Sequence, residues 1–309
     1  MKKIPYFDLK QQYNLIGADL EKNIIKTLRS TNYALGPEVE KFESNFSNYI
    51  GTKYCAGVNT GTSALHLALL AAGIGSGDEV ITVSMTFIAT VMSISYTNAK
   101  PVFVDVEDKT LTMNPHLIES KINSRTKAIL VVHLYGQCAD MNKISKIAKK
   151  NNLFLIEDSS QAHGAKYKND NAGSIGDFGT FSFYPGKNLG ACGEGGAVTS
   201  NNKKLIEKVK SLRNWSQPRR YEHTNISYNY RMDGLQATSL NVKLKYIKKW
   251  TRLRRNIAET YQKNIKTENC QVTTEACDRF HVYHIFSIFH KESLKLKSYL
   301  NEINIGTNN

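Results

Sequence analysis

The chain has 309 residues, 41% of them hydrophobic and 22% charged, with 20 glycines and 6 prolines, which allows one large domain or two ordinary ones and excludes disordered, collagen-like and low-complexity classes. No run approaches the roughly 18 apolar residues of a membrane span, the polar start Met1 to Asp8 lacks the apolar core of a signal peptide, and five cysteines without a Cys-x-x-Cys pair favour neither zinc nor a disulfide framework, so a reducing cytoplasm is the expected location. The net charge of +14 lies almost wholly in the last third, +2 over residues 1–200 and +12 over 201–309, a bias that suits an anionic partner or a solvated helix face equally.

Gly36-Pro37 opens a helix through Tyr49, with proline in a first-turn position where its missing donor costs nothing. Tyr54 to Val58 reads as a strand, Thr62 to Ala72 as a helix, Glu79 to Val83 as a strand and Phe87 to Asn98 as a helix. Strands follow at Pro101 to Val104 and Ala128 to His133, then a polar helix from Asp140 to Asn151. Further strands are expected at Leu153 to Ile156, Phe178 to Phe183 and Gly196 to Thr199. Continuous apolar strands separated by helices predict an α/β fold with a mainly parallel sheet covered on both faces. Beyond Asp233 the pattern changes to one long helix, whose segment Lys243 to Arg255 has apolar residues near helical spacing, so that its charges suit a solvated face as well as an anionic partner. An alternating, strand-like stretch from Phe280 to Phe289 and a short terminal helix complete it. The expected division is therefore 1–232 as a large cofactor-binding domain and 233–309 as a small α+β domain, on which an N-terminal helix can pack.

Two glycine-rich segments mislead. Gly73 to Gly77 follows a helix and precedes a strand, the reverse of a dinucleotide-binding turn, and reads as a helix C-cap. Gly186-Lys187-Asn188 lacks the upstream Gly and downstream Ser/Thr of a P-loop. The informative residues are spread along the large domain. Asn59-Thr60-Gly61-Thr62-Ser63 places hydroxyls and free N–H groups where a strand turns into a helix, which suits a phosphate or a plain N-cap. Glu157-Asp158 ends a buried strand at the sheet edge where open α/β proteins bind ligands, although a structural carboxylate fits as well. Lys187 sits between aromatic residues and a glycine-rich turn, where desolvation can lower its pKa and free its amine to attack an aldehyde. A phosphate site, a carboxylate for a protonated ring nitrogen and a lysine for an aldehyde together point to pyridoxal phosphate.

The chain resembles the DegT/DnrJ/StrS sugar aminotransferases. The resemblance rests on Leu35-Gly36-Pro37-Glu38-Val39, Asn59 to Leu65, Gly77 to Ile81, Thr86 to Thr90, His133 to Gln137, Glu157 to Ala165, Ser182 to Gly190 and Tyr228 to Asp233. It implies an aspartate-aminotransferase-like fold and amino transfer from glutamate to a nucleotide-linked keto-deoxysugar, at carbon 3 in preference to carbon 4, for surface polysaccharide or glycoside biosynthesis. It further implies that Lys187 is the Schiff-base lysine, that Asp158 partners the ring nitrogen and Gln161 the ring hydroxyl, and that Phe87 stacks on the ring. Gly61, Thr62, Ser63 and Ser182 would hold the phosphate, and Asn229 would reach it from a second subunit, making a homodimer with shared active sites. No metal, membrane or specific nucleic acid is expected.

His133 and His163 read as satisfied structural histidines and Cys192 as a packing residue. Arg231 suits a substrate carboxylate, a substrate phosphate or an interface pair. The chain stops near Gly306, where the resemblance implies a closing strand and helix, so the small domain is expected to be incomplete. The alternative to an active enzyme is a catalytically inactive relative with a binding or regulatory role.

Overall fold

A computed structural model describes residues 3–308. Asp8 accepts the Gln11 N–H and so caps α1 (Leu9–Ser30), and Pro37 opens α2 (Pro37–Ile50). Then β1 (Tyr54–Val58), α3 (Gly61–Ala71), β2 (Glu79–Val83), α4 (Ile88–Tyr96), β3 (Lys100–Val104) and β4 (Thr126–Val132) alternate as their apolar patterns require. They are followed by α5 (Met141–Lys150), β5 (Phe154–Asp158), the short β6 (Lys166–Tyr167) and β7 (Asp170–Asn171), β8 (Phe178–Ser182), β9 (Gly196–Ser200) and α6 (Lys203–Leu212). The remainder holds α7 (Gly234–Lys243), α8 (Ile247–Asn264), β10 (Cys270–Val272), β11 (Arg279–Phe280), β12 (Ile288–His290) and α9 (Ser293–Glu302).

Seven strands form one sheet in the order β1-β9-β8-β5-β4-β2-β3. The run from β8 to β3 is parallel, whereas β9 lies antiparallel to both β8 and β1. One apolar cluster includes α3, α5 and α6. Another joins α2 to α7: Phe46 meets Phe181 edge to face with centroids 4.9 Å apart, and Phe42 meets Phe183 at 5.3 Å. Burying each such ring stabilises by about 1.5–3 kcal/mol.

Two expectations for the C-terminal part are corrected. The long helix after Asp233 is two helices, interrupted at Leu244 to Tyr246. The break lets the Lys243 ammonium donate to the Gly190 and Ala191 carbonyls at 2.8 and 3.3 Å while Ile247 enters the second core. The stretch Phe280 to Phe289 pairs only at its ends, β11 with β6 and β12 with β10. Its middle leaves the ladder, with Val282 N–H donating to the Gly136 carbonyl and His284 N–H to that of Tyr135, both at 2.9 Å. Gly136 has φ +105° there, and a Cβ on it would lie 2.8 Å from Val282, so this close approach needs glycine.

The α1 helix lies on α7, where the hydroxyls of Thr27 and Thr238 are 2.7 Å apart, and Tyr246 reaches Asp19 at 3.1 Å. On α8, Lys248, Lys249 and Arg252 are exposed as expected, but Arg254 and Arg255 turn inward to carbonyls of the Val282-bearing segment.

Candidate active site

The C-terminal ends of β1, β5 and β8 converge with the start of α4. Thr60 caps α3 by accepting the Ser63 N–H at 3.0 Å, and its carbonyl accepts the Ala64 N–H. Gly61 and Thr62 then carry the helix's leading N–H groups, which have no intrahelical acceptor. A Cβ on Gly61 would lie 2.4 Å from Ser182 Cβ, so glycine brings the helix start against the end of β8. Backbone donors and the Ser63 and Ser182 hydroxyls thus gather at one helix N-terminus, an arrangement suited to a phosphate.

Adjacent residues of a strand point to opposite faces, and this separates the two carboxylates that end β5. Glu157 points into the protein: its oxygens accept the N–H groups of Gly173, Ile175 and Gly176 at 2.7–2.8 Å and pair with His133 Nε2 at 2.9 Å. His133 Nδ1 accepts the Ala139 N–H, so this histidine is structural and satisfied. Asp158 points the other way, accepting the Thr90 hydroxyl at 2.7 Å and the Ser160 N–H at 3.1 Å. Thr90 was not singled out from the sequence. It stands one turn after Phe87, in a segment whose helical phase could have pointed to it.

Lys187 follows a turn closed by its N–H on the Tyr184 carbonyl. Burial lowers the pKa of its ammonium, and Asp158 opposes that shift. The next residue, Asn188, donates to the Val282 carbonyl at 3.1 Å and faces His284 Nδ1 at 3.3 Å, so the segment that leaves the ladder ends beside the lysine. Burial, then Lys187, Arg254 and His163, push His284 well below its ordinary pKa, keeping it neutral. The strand-like reading of Phe280 to Phe289 concealed this histidine.

Gln161 Oε1 accepts the Tyr135 N–H at 2.7 Å, leaving its amide N–H groups to donate elsewhere. Phe87 is 68% exposed at the head of α4, presenting an open ring face. Asn229 is exposed and accepts from Arg231 Nε at 2.9 Å on a segment bridged to β1. The donor set fits pyridoxal phosphate: a helix start for the phosphate, a carboxylate held by a hydroxyl for the ring nitrogen, a desolvated amine for the aldehyde and an aromatic face for the ring.

Two expectations fail here. His163 is fully buried against Phe181 and Phe183, and neither ring nitrogen makes a well-formed hydrogen bond; burial first, and Lys187 next, lower its pKa to about 3, with the Ser182 backbone opposing. Cys192 is exposed instead of packed, and its thiol lies beside Lys243. Among the described residues no His/Cys/Asp/Glu group could hold a metal ion, and no helix is long and apolar enough to cross a membrane.

Residues 14–309 match the DegT/DnrJ/EryC1/StrS aminotransferase family. The chain is 46% identical over 304 residues to a dTDP-3-amino-3,6-dideoxy-alpha-D-galactopyranose transaminase of Aneurinibacillus thermoaerophilus, covering 98% of this chain and 84% of that protein. It is 41% identical over 308 residues to a pleiotropic regulatory protein of Geobacillus stearothermophilus, covering 98% and 82%. The crystal structure of S. venezuelae DesV in complex with a ketimine intermediate superposes with a TM-score of 0.97 at 38% identity, covering 99% of this chain and 82% of that one.

Proposed function

The chain belongs to the DegT/DnrJ/EryC1/StrS aminotransferase family, and from that footing we propose that it transfers an amino group from glutamate to a nucleotide-linked keto-deoxysugar, at carbon 3 in preference to carbon 4. The aminotransferases of this family depend on pyridoxal phosphate. The observation that carries the reading is the pairing of a desolvated Lys187 amine with a buried Asp158 whose carboxylate is oriented by Thr90. The name of the A. thermoaerophilus relative supports carbon 3.

When bound, pyridoxal phosphate supplies an aldehyde that takes up amines and a protonated ring that draws electrons from the adjoining carbon. Lys187 Nζ, kept deprotonated more readily by its burial, is the nucleophile toward that aldehyde. As a free amine, Nζ would also be the group placed to move a proton between two carbons of the bound substrate. Asp158 would hold a proton on the ring nitrogen, its carboxylate held by the Thr90 hydroxyl. Gly61, Thr62, Ser63 and Ser182 would bind the phosphate, Phe87 would cover the ring, and Gln161 would donate to the ring hydroxyl with its carbonyl oxygen pinned by the Tyr135 N–H. Asn229 reaches the phosphate of a second copy, so the active unit is a homodimer. The two domains, 1–232 and 233–309, meet at the lysine through the segment that carries His284. The enzyme works in the cytoplasm, supplying amino sugars for a surface polysaccharide or glycoside.

The test is the absorption spectrum of the purified protein with pyridoxal phosphate, before and after glutamate. A band near the visible edge that bleaches on adding glutamate, and that Lys187→Ala does not form, is expected. A folded protein that stays colourless, or a band that glutamate leaves unchanged, would instead support the regulatory reading that the G. stearothermophilus relative's name suggests.

A further inference from the structure

His66, on α3 one turn beyond the phosphate-binding start, is 3% exposed, and its Nε2 has no hydrogen-bond partner. Three tyrosines surround its ring: Tyr228 edge-on at 4.9 Å, Tyr96 of α4 edge-on at 5.8 Å, and Tyr230 at 6.0 Å, whose hydroxyl is 3.5 Å from His66 Nδ1. Tyr228 and Tyr230 stack on each other with centroids 4.9 Å apart and planes inclined by 21°. The two tyrosines flank Asn229 in an extended segment, where alternate side chains point to opposite sides. Holding both rings against His66 therefore leaves one direction for Asn229, outward, and it is exposed.

The backbone of the same segment is tied on both edges. Tyr228 and Tyr230 N–H groups donate to the Leu212 and Arg213 carbonyls at the end of α6, and the Tyr230 carbonyl accepts the N–H of Asn59, which leads into the phosphate turn. These bonds fix the path of the segment, but they are blind to which side chains face inward. A shift by one residue would bury Asn229 and expose the tyrosines. The aromatic cluster is the feature that discriminates between those registers.

We propose that His66, Tyr228 and Tyr230 form a positioning device that presents Asn229 to the cofactor phosphate bound by a second copy of the chain. The cluster touches neither cofactor nor substrate. It acts through Asn229, and so rests on the reading of Asn229 given above. It also links the two sites of a dimer, because the helix that begins one phosphate site holds the asparagine that completes the other.

The test is the dissociation constant of pyridoxal phosphate for the full-chain apoprotein, by equilibrium dialysis, with pyridoxal lacking the phosphate as control. Asn229→Ala weakens pyridoxal phosphate and leaves pyridoxal unchanged. His66→Ala and Tyr228→Leu each weaken it about three- to tenfold, the scale of an aromatic contact. Tyr228→Phe, which keeps the ring, restores it. The double variant His66→Ala/Asn229→Ala binds no more weakly than Asn229→Ala alone, since the first change acts through the second residue. Circular dichroism confirms the fold of each variant, and Tyr228→Leu carries the test if His66→Ala does not fold. If Asn229→Ala weakens binding while the cluster variants bind like the parent, or if the double variant is additive, the positioning role is wrong. If Asn229→Ala itself binds like the parent, the reading of Asn229 is wrong and the positioning role falls with it.

Discussion

Glu157 and Asp158 are neighbours on one strand, and replacing each by its amide separates a structural carboxylate from a chemical one. In Glu157→Gln one carboxylate oxygen becomes an NH2 group. On Oε1 it would face the N–H groups of Ile175 and Gly176, now at 2.8 and 2.7 Å; on Oε2 it would face the Gly173 N–H and His133 Nε2, at 2.8 and 2.9 Å. Either way two bonds to a charged acceptor are lost inside a fully buried site. At about 1.5–3 kcal/mol each, the loss is about 3–6 kcal/mol, a large share of a net stability of about 5–15 kcal/mol. At roughly 2 °C per kcal/mol, the melting temperature should fall by about 6–12 °C, while turnover measured well below the transition stays near that of the parent. Asp158→Asn should do the reverse. It puts one hydrogen bond at stake in stability, about 1.5–3 kcal/mol, but it removes the negative charge that keeps the ring nitrogen protonated, so turnover drops by orders of magnitude with cofactor still bound. Thermal unfolding by circular dichroism and amino transfer from glutamate, measured on both variants, decide the matter. A Glu157→Gln protein that melts with the parent yet loses turnover would refute this division of labour.

Gly61→Ala places a Cβ 2.4 Å from Ser182, so the helix start must back away from β8; pyridoxal phosphate should bind at least about tenfold more weakly, and unchanged affinity would mean that the phosphate lies elsewhere. Thr90→Val deletes the hydroxyl that donates to Asp158 at 2.7 Å; the carboxylate loses that anchor, so turnover should fall about tenfold with pyridoxal phosphate still bound, whereas parent-like turnover would show that Thr90 does not act on the carboxylate. Burial holds His163 at about 3 and His281 at about 4, below the roughly 6.5 of an unfolded chain. Their contribution is therefore complete above about pH 6.5 and is lost as the pH falls toward the folded values, by about 2–3 kcal/mol each at pH 4.5. Unfolding in urea at pH 7.5 and 4.5 should show the fall, His163→Phe should reduce it, and a flat profile would count against buried neutral imidazoles.

The alternation of apolar strands with helices was legible because each element is decided within its own turn or face: Pro37 at a first helical position, Thr60 as an N-cap, glycines closing helices, unbroken Val/Ile/Leu runs in the parallel strands. The residues of the candidate site other than Asn229 were legible for a related reason, since each stands where a strand hands over to a helix or a turn, the positions an open α/β sheet brings to one edge. What depends on distant partners was not. The insertion of β9 antiparallel between β1 and β8 is set by pairing among strands far apart in the chain. The break after Lys243 answers to carbonyls some fifty residues away, and the departure of His281 to Ile285 from a strand answers to the Tyr135–Gly136 loop. The same holds for Thr90 on Asp158 and His66 among its tyrosines: a local pattern shows which way a side chain faces, and only the tertiary structure decides what it meets there.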